Sequence, residues 1–176
     1  MRTIILLIAL VASNAHAGEY SLDDFRSMLV SAHQIHLQSL GKDNRFARQW
    51  DEWLDSVVRK REYKIIEAVN FRFNRFGYQT DEYLWDAEDY WAPPEVLYEK
   101  GRGDCEDFAI AKYFALLELG FDREKLKIAI GTLQGESHAV LTYWDDGDYW
   151  ILDNTRNWPQ RASKRKDFEP LGYIQI

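Results

Sequence analysis

The sequence predicts an α+β fold in which helices come before a small antiparallel sheet. Three observations carry that expectation. Apolar residues recur at helical spacing through the first half, an almost wholly apolar segment runs from Phe108 to Leu119, and beyond Gly120 apolar and polar residues alternate. The chain has 176 residues, 46% hydrophobic and 15% aromatic, which suits one substantial core and excludes disordered, low-complexity and collagen-like classes. No repeat, Gly/Ser linker or break in composition divides it, so one domain is expected from Gly18 to Ile176.

Residues 1–17 are set apart as a secretory signal peptide. Arg2 precedes an apolar run from Ile4 to Ala12, and Ala15-His16-Ala17 has the small-x-small form of a cleavage site. The run is too short for a mature membrane span, and no later stretch is longer or free of charge. The mature chain is therefore expected to be exported and soluble, without direct membrane insertion. Its net charge of −7 becomes −8 when Arg2 is removed, an acidic balance that argues against nucleic acid or an anionic membrane surface as partner. The basic clusters Arg59-Lys60-Arg61 and Lys164-Arg165-Lys166 are short and read as solvated faces.

Taken in order, Ser21 can cap a first helix with Leu22, Phe25, Leu29 and Ala32 on one face and His33 and His36 in its later turns. A second helix starts near Arg45, with Phe46, Trp50, Trp53, Leu54, Val57 and Val58 as its stripe. A third, from Lys64 to Phe76, carries Ile66, Val69, Phe73 and Phe76; these aromatic stripes are core-forming. An irregular acidic and aromatic stretch, Tyr83 to Trp91, contains Asp86, Glu88 and Asp89. Pro93-Pro94 then opens a short helix ending at Gly101. The segment Phe108–Leu119, apolar on nearly every face, reads as a buried central helix ended by Gly120. Strands follow at 125–130, 137–144 and 149–153, the last two joined by an Asp146-Gly147 turn, with a terminal strand at 171–176.

Chemistry concentrates at Gly101-Arg102-Gly103-Asp104-Cys105-Glu106-Asp107, where the helix begins. Cys105 is the single cysteine, so no disulfide can form within the chain. With Asp104 as N-cap, the thiol occupies the first helical position, where unpaired N–H groups favour the thiolate. The two glycines are expected to let a substrate approach the backbone. Asp104, Glu106 and Asp107 act against the thiolate. Either these acids cap the helix dipole or they hold a hard cation, for which Ca²⁺ suits an exported chain, completed by backbone carbonyls or by Asp86 and Asp89.

A register argument supplies a base. If Asp145 and Asp148 flank a two-residue turn, His138 faces Thr155 and Asp153 lies diagonal to it on the same face. A one-residue slip would separate the two. A cysteine at a helix N-terminus with a histidine and an aspartate on adjoining strands is the arrangement for thiolate attack on an acyl carbon. The same residues fit hydrolysis, a transglutaminase or other acyltransferase reaction with an amine in place of water, or a non-catalytic calcium-binding module in which Cys105 is only packed.

Asp89-Tyr90-Trp91, Gly101 to Tyr113, Ser137-His138-Ala139-Val140-Leu141 and Leu152-Asp153-Asn154 together resemble the bacterial transglutaminase-like cysteine proteinases, over about Lys64 to Asn154. The resemblance implies a papain-like transglutaminase core with the Cys-bearing helix packed on the sheet. It also implies a triad of Cys105 as nucleophile, His138 as general base and acid, and Asp153 as orienter, and Ca²⁺ held by Asp104, Glu106 and Asp107. It further implies a calcium-dependent periplasmic cysteine endopeptidase. Such an enzyme cuts a large surface adhesin near its N-terminus after a di-alanine motif, which releases the adhesin and disperses biofilm. The expected regulator is a LapD-like inner-membrane cyclic-di-GMP receptor that sequesters the protease.

Overall fold

The computed structural model describes residues 45–176. The expected signal peptide and the expected first helix, with Leu22, Phe25, Leu29 and Ala32 on one face and His33 and His36 in its later turns, lie outside the described residues. Helix α1 (Arg45–Val57) ends one residue short of its apolar stripe, leaving Val58 exposed, while Trp50 is buried. Helix α2 (Glu62–Phe73) buries Ile65, Ile66, Val69 and Phe73. The rings of Trp50, Trp53 and Phe73 meet with centroids 5.9 to 6.1 Å apart, which locks the two helices together. Phe76, placed in the helix by its spacing, follows the helix end and packs on Phe73 from there.

The two-residue strand β1 (Gly77–Tyr78) pairs in parallel with β2 (Arg102–Gly103), a bridge too short to leave a periodic signal. The stretch expected to be irregular begins with a short helix, α3 (Asp81–Trp85). Helix α4 (Pro94–Lys100) starts on Pro94, whose fixed φ suits the first helical position, and closes on Gly101 in the left-handed region at φ 69°. Helix α5 (Cys105–Glu118) is the central element, with ten consecutive residues, Asp107 to Leu116, buried.

The sheet runs β6 (Gln160–Arg161), β5 (Asp148–Leu152), β4 (Glu136–Asp145), β3 (Leu126–Leu133), β7 (Phe168–Ile174), every pair antiparallel. Asp145 pairs with Asp148 and Leu141 with Leu152, the expected hairpin register. Asp146 and Gly147 take the positive φ values that a two-residue turn requires. Ile128, Leu141, Tyr143, Leu152 and Ile174 face the helices, and Ala129, Val140, Ile151 and Phe168 form a smaller core on the other face. Among the described residues no helix is long and apolar enough to cross a membrane.

Candidate active site

Asp104 stands before the first turn of α5 and Cys105 is its first residue, so the thiol takes the position the sequence assigned. Sγ donates to Oε2 of Glu106 at 3.0 Å, and the backbone amide of Ala139 on β4 lies near enough to the sulfur to favour the thiolate. That second contact brings the helix N-terminus against the His138–Ala139 peptide. Burial pushes the thiol well above its ordinary value, the charge and hydrogen bond of Glu106 add to this, and the Ala139 amide opposes it. In this arrangement the carboxylates and burial outweigh the helix dipole.

The glycines before Cys105 serve different purposes from the expected one. Gly101 supplies the left-handed turn that ends α4. At Gly103 a Cβ would lie 2.5 Å from Oδ2 of Asp107, so glycine there makes room for a carboxylate, not for a substrate.

His138 and Asp153 meet as the register argument requires: Nε2 of His138 lies 2.9 Å from Oδ1 of Asp153, and both residues are buried. With Nε2 engaged, Nδ1 is the nitrogen left to exchange a proton with a neighbouring group. The Asp153 carboxylate is wholly enclosed. Oδ1 also accepts from the Thr155 backbone at 2.8 Å, and Oδ2 accepts from Nη2 of Arg165 at 2.7 Å. Burial acts to raise its pKa, but the bonds to His138, Thr155 and Arg165 prevail and hold the carboxyl well below the usual carboxylate range.

Two buried basic side chains near Asp153 carry no expectation of a site role from the sequence. Lys164 and Lys166 are exposed, as expected of a solvated face, but Arg165 between them is 4% exposed and ion-paired. A run of three basic residues cannot reveal that its middle member turns inward. Lys112 on α5 is fully buried, its Nζ 3.3 Å from the Leu152 carbonyl, and burial pushes it down to about 7 against the attraction of Asp153. Here a signal existed: one lysine inside an otherwise apolar run. From α2, the Asn74 side-chain amide donates to the carbonyls of Asp153 and Arg156, and that of Asn70 to those of Arg156 and Asn157, which fixes the loop after β5.

The acids beside Cys105 do not form one cluster of three. Asp104 and Asp107 converge with Asp81, and Glu106 with Asp81 and Asp89; each set has carboxylate oxygens within 4.8 Å of one another. Asp81, in the first turn of α3, is common to both sets and was not foreseen, because a helix-N-terminal acid is already explained by its dipole. Asp86, offered as a completing ligand, is exposed and belongs to neither set among the described residues; Asp89 does belong. Asp107 accepts from the backbone N–H groups of Ala92 at 2.7 Å and Asp104 at 3.4 Å. Oδ1 of Asp81 and Oδ1 of Asp104 are buried with no hydrogen-bond partner among the described residues. Burial first, then the charge of Glu106, pushes Asp89 up to about 7 and Asp104 up to about 10; Asp107 is raised well above the usual range, where Asp81 also adds to the effect. Partnerless oxygens in a crowded all-oxygen site are what a hard cation such as Ca²⁺ would satisfy, so these residues fit that ion.

The family described as bacterial transglutaminase-like cysteine proteinase BTLCP matches residues 42–165. The chain is 34% identical to Legionella pneumophila LapG in its calcium-bound form, the match covering 82% of each chain at a TM-score of 0.67. Against EGTA-treated LapG from the same organism the identity is 33%, over 84% of this chain and 85% of that one, again at 0.67. No curated protein matches the sequence.

Proposed function

The chain belongs to the bacterial transglutaminase-like cysteine proteinases, and from that premise we propose that it is a calcium-dependent periplasmic cysteine endopeptidase using Cys105, His138 and Asp153. The observation that carries this reading is the meeting of the α5 N-terminus with β4. It sets the Cys105 sulfur on the Ala139 amide, one residue from a histidine already oriented by a buried aspartate. Nδ1 of His138 takes the thiol proton, and the thiolate attacks the scissile carbonyl carbon. His138 then protonates the leaving amine as the C–N bond breaks and a thioester remains. Water, deprotonated by His138, hydrolyses the thioester and restores the thiol. Asp153 keeps Nε2 protonated throughout and stabilises the imidazolium.

Asp81, Asp104 and Asp107, with Asp89 and Glu106 adjoining, would hold Ca²⁺, which would supply the countercharge these carboxylates lack. The proposed substrate is a large surface adhesin cut near its N-terminus after a di-alanine motif, its release promoting biofilm dispersal. An inner-membrane cyclic-di-GMP receptor is the proposed sequestering regulator. The calcium-loaded enzyme should cut an adhesin N-terminal fragment into two products whose masses sum to substrate plus water. Cys105→Ser and His138→Ala should both abolish the cut while keeping the wild-type circular dichroism spectrum. A conjugate of higher mass would assign acyl transfer instead, and full cleavage by either variant would end the proposal.

A further inference from the structure

We propose that Arg165 is a positioning residue of the catalytic triad, setting the plane of the Asp153 carboxylate and through it the aim of His138. The inference rests on the hydrolase reading above.

A buried carboxylate can turn about its Cβ–Cγ bond unless both oxygens are held, and each turn would carry Oδ1 away from the imidazole. Oδ1 is held by His138 and Thr155; on Oδ2 the donor is Arg165, at 2.7 Å. The guanidinium is itself fixed. Its Nε donates to Oδ1 of Asp167 at 2.8 Å, Asp167 is held in turn by Arg156 at 3.1 Å, and the Arg165 side chain is 2% exposed. A planar fork bridging two carboxylates transmits direction, which a rotating ammonium does not. Lys112, the other buried basic group near Asp153, is pushed down to about 7 and its Nζ donates to the Leu152 carbonyl, not to the carboxylate. What Arg165 adds is a bond of defined direction to the second oxygen.

The test compares calcium-loaded wild type with Arg165→Met, Arg165→Lys and Arg165→Ala. Two rates are read, peptide cleavage and Cys105 alkylation by iodoacetamide, and unfolding is followed by circular dichroism. Arg165→Met should lower kcat about tenfold to a hundredfold with KM nearly unchanged, and slow alkylation in parallel. Arg165→Lys should regain only part of the loss. In Arg165→Ala, millimolar guanidinium should restore rate where methylammonium does not. Folded Arg165→Met with both wild-type rates, or equal rescue by the two cations, overturns the proposal. Should the position-165 variants fail to fold, Asp167→Asn keeps Arg165 opposite Asp153 without its anchor; a severalfold fall in kcat at constant KM supports the proposal, and no change overturns it. His138-dependent alkylation in a wild type that cuts no peptide would instead refute the peptidase reading, leaving Arg165 to be judged on alkylation alone.

Discussion

Two groups of buried carboxylates lie at opposite ends of the same chemistry. Asp153 is wholly enclosed yet held well below the usual carboxylate range, whereas Asp104 and Asp107, at the start of α5, are pushed far above it. Burial raises all three, so burial is not what separates them. Asp153 has an arginine, a histidine and a backbone amide on its two oxygens, while the acids beside Cys105 face one another and, at Asp107, two backbone amides, with no cationic partner among the described residues. One site carries its countercharge in its own side chains; the other leaves that charge to be supplied.

The largest effect should come from breaking the compensated site. Asp153→Asn keeps the shape but removes the charge and alters which tautomer of His138 is favoured, and should lower kcat by about a thousandfold or more, read with a peptide substrate. Second in size is the effect of supplying the missing charge. Calcium at about a hundred times its Kd should stabilise the fold by about 2.7 kcal/mol, read as a rise in the denaturation midpoint that EGTA reverses.

The direction of the pH dependence sharpens the contrast. In EGTA the raised acids give the folded state more bound protons than the unfolded one. Their contribution is present below the ordinary carboxylate range and fades as pH climbs through about 7 for Asp89 and about 10 for Asp104. Asp153 contributes at neutral pH and loses its contribution only on acidification. Melting temperature in EGTA should therefore fall between pH 5 and pH 8, and calcium should flatten that slope. Asp104→Asn, which removes the cost of holding a proton on this buried carboxyl at pH 8, should raise the melting temperature in EGTA by about 2–4 °C at that pH and weaken calcium binding in titration calorimetry.

An effect of similar size and opposite pH slope belongs to Lys112, pushed down to about 7. Between that value and the ordinary lysine range the unfolded chain binds the extra proton, so this residue makes stability rise with pH. Lys112→Met should raise the melting temperature by a few degrees at pH 7 and should gain less at pH 10.

The elements with a strong period were legible: the buried run of α5, the alternation of β3 and β4, and the Asp146-Gly147 turn that fixed His138 and Asp153 on one face. The position of Cys105 followed from a cap, a local feature. What sequence did not give depends on contacts distant along the chain. Asp81 joins Asp104 and Asp107 through the packing of α3, and Arg165 turns inward because Asp153 lies beneath it. No local rule places the Asp107 carboxylate over Gly103, so the sequence by itself points to substrate approach there.

The clamp of α2 on the loop after β5 bears on when activity can appear during the making of the protein. The bond from Asn74 to the Asp153 carbonyl joins residues 79 positions apart, and the carboxylate it helps seat is completed only by Arg165. A chain that ends with α5 contains Cys105 but not His138, Asp153 or Arg165. The proposed triad is therefore assembled only when segments far apart in sequence have come together, and a chain that has not closed them would lack it.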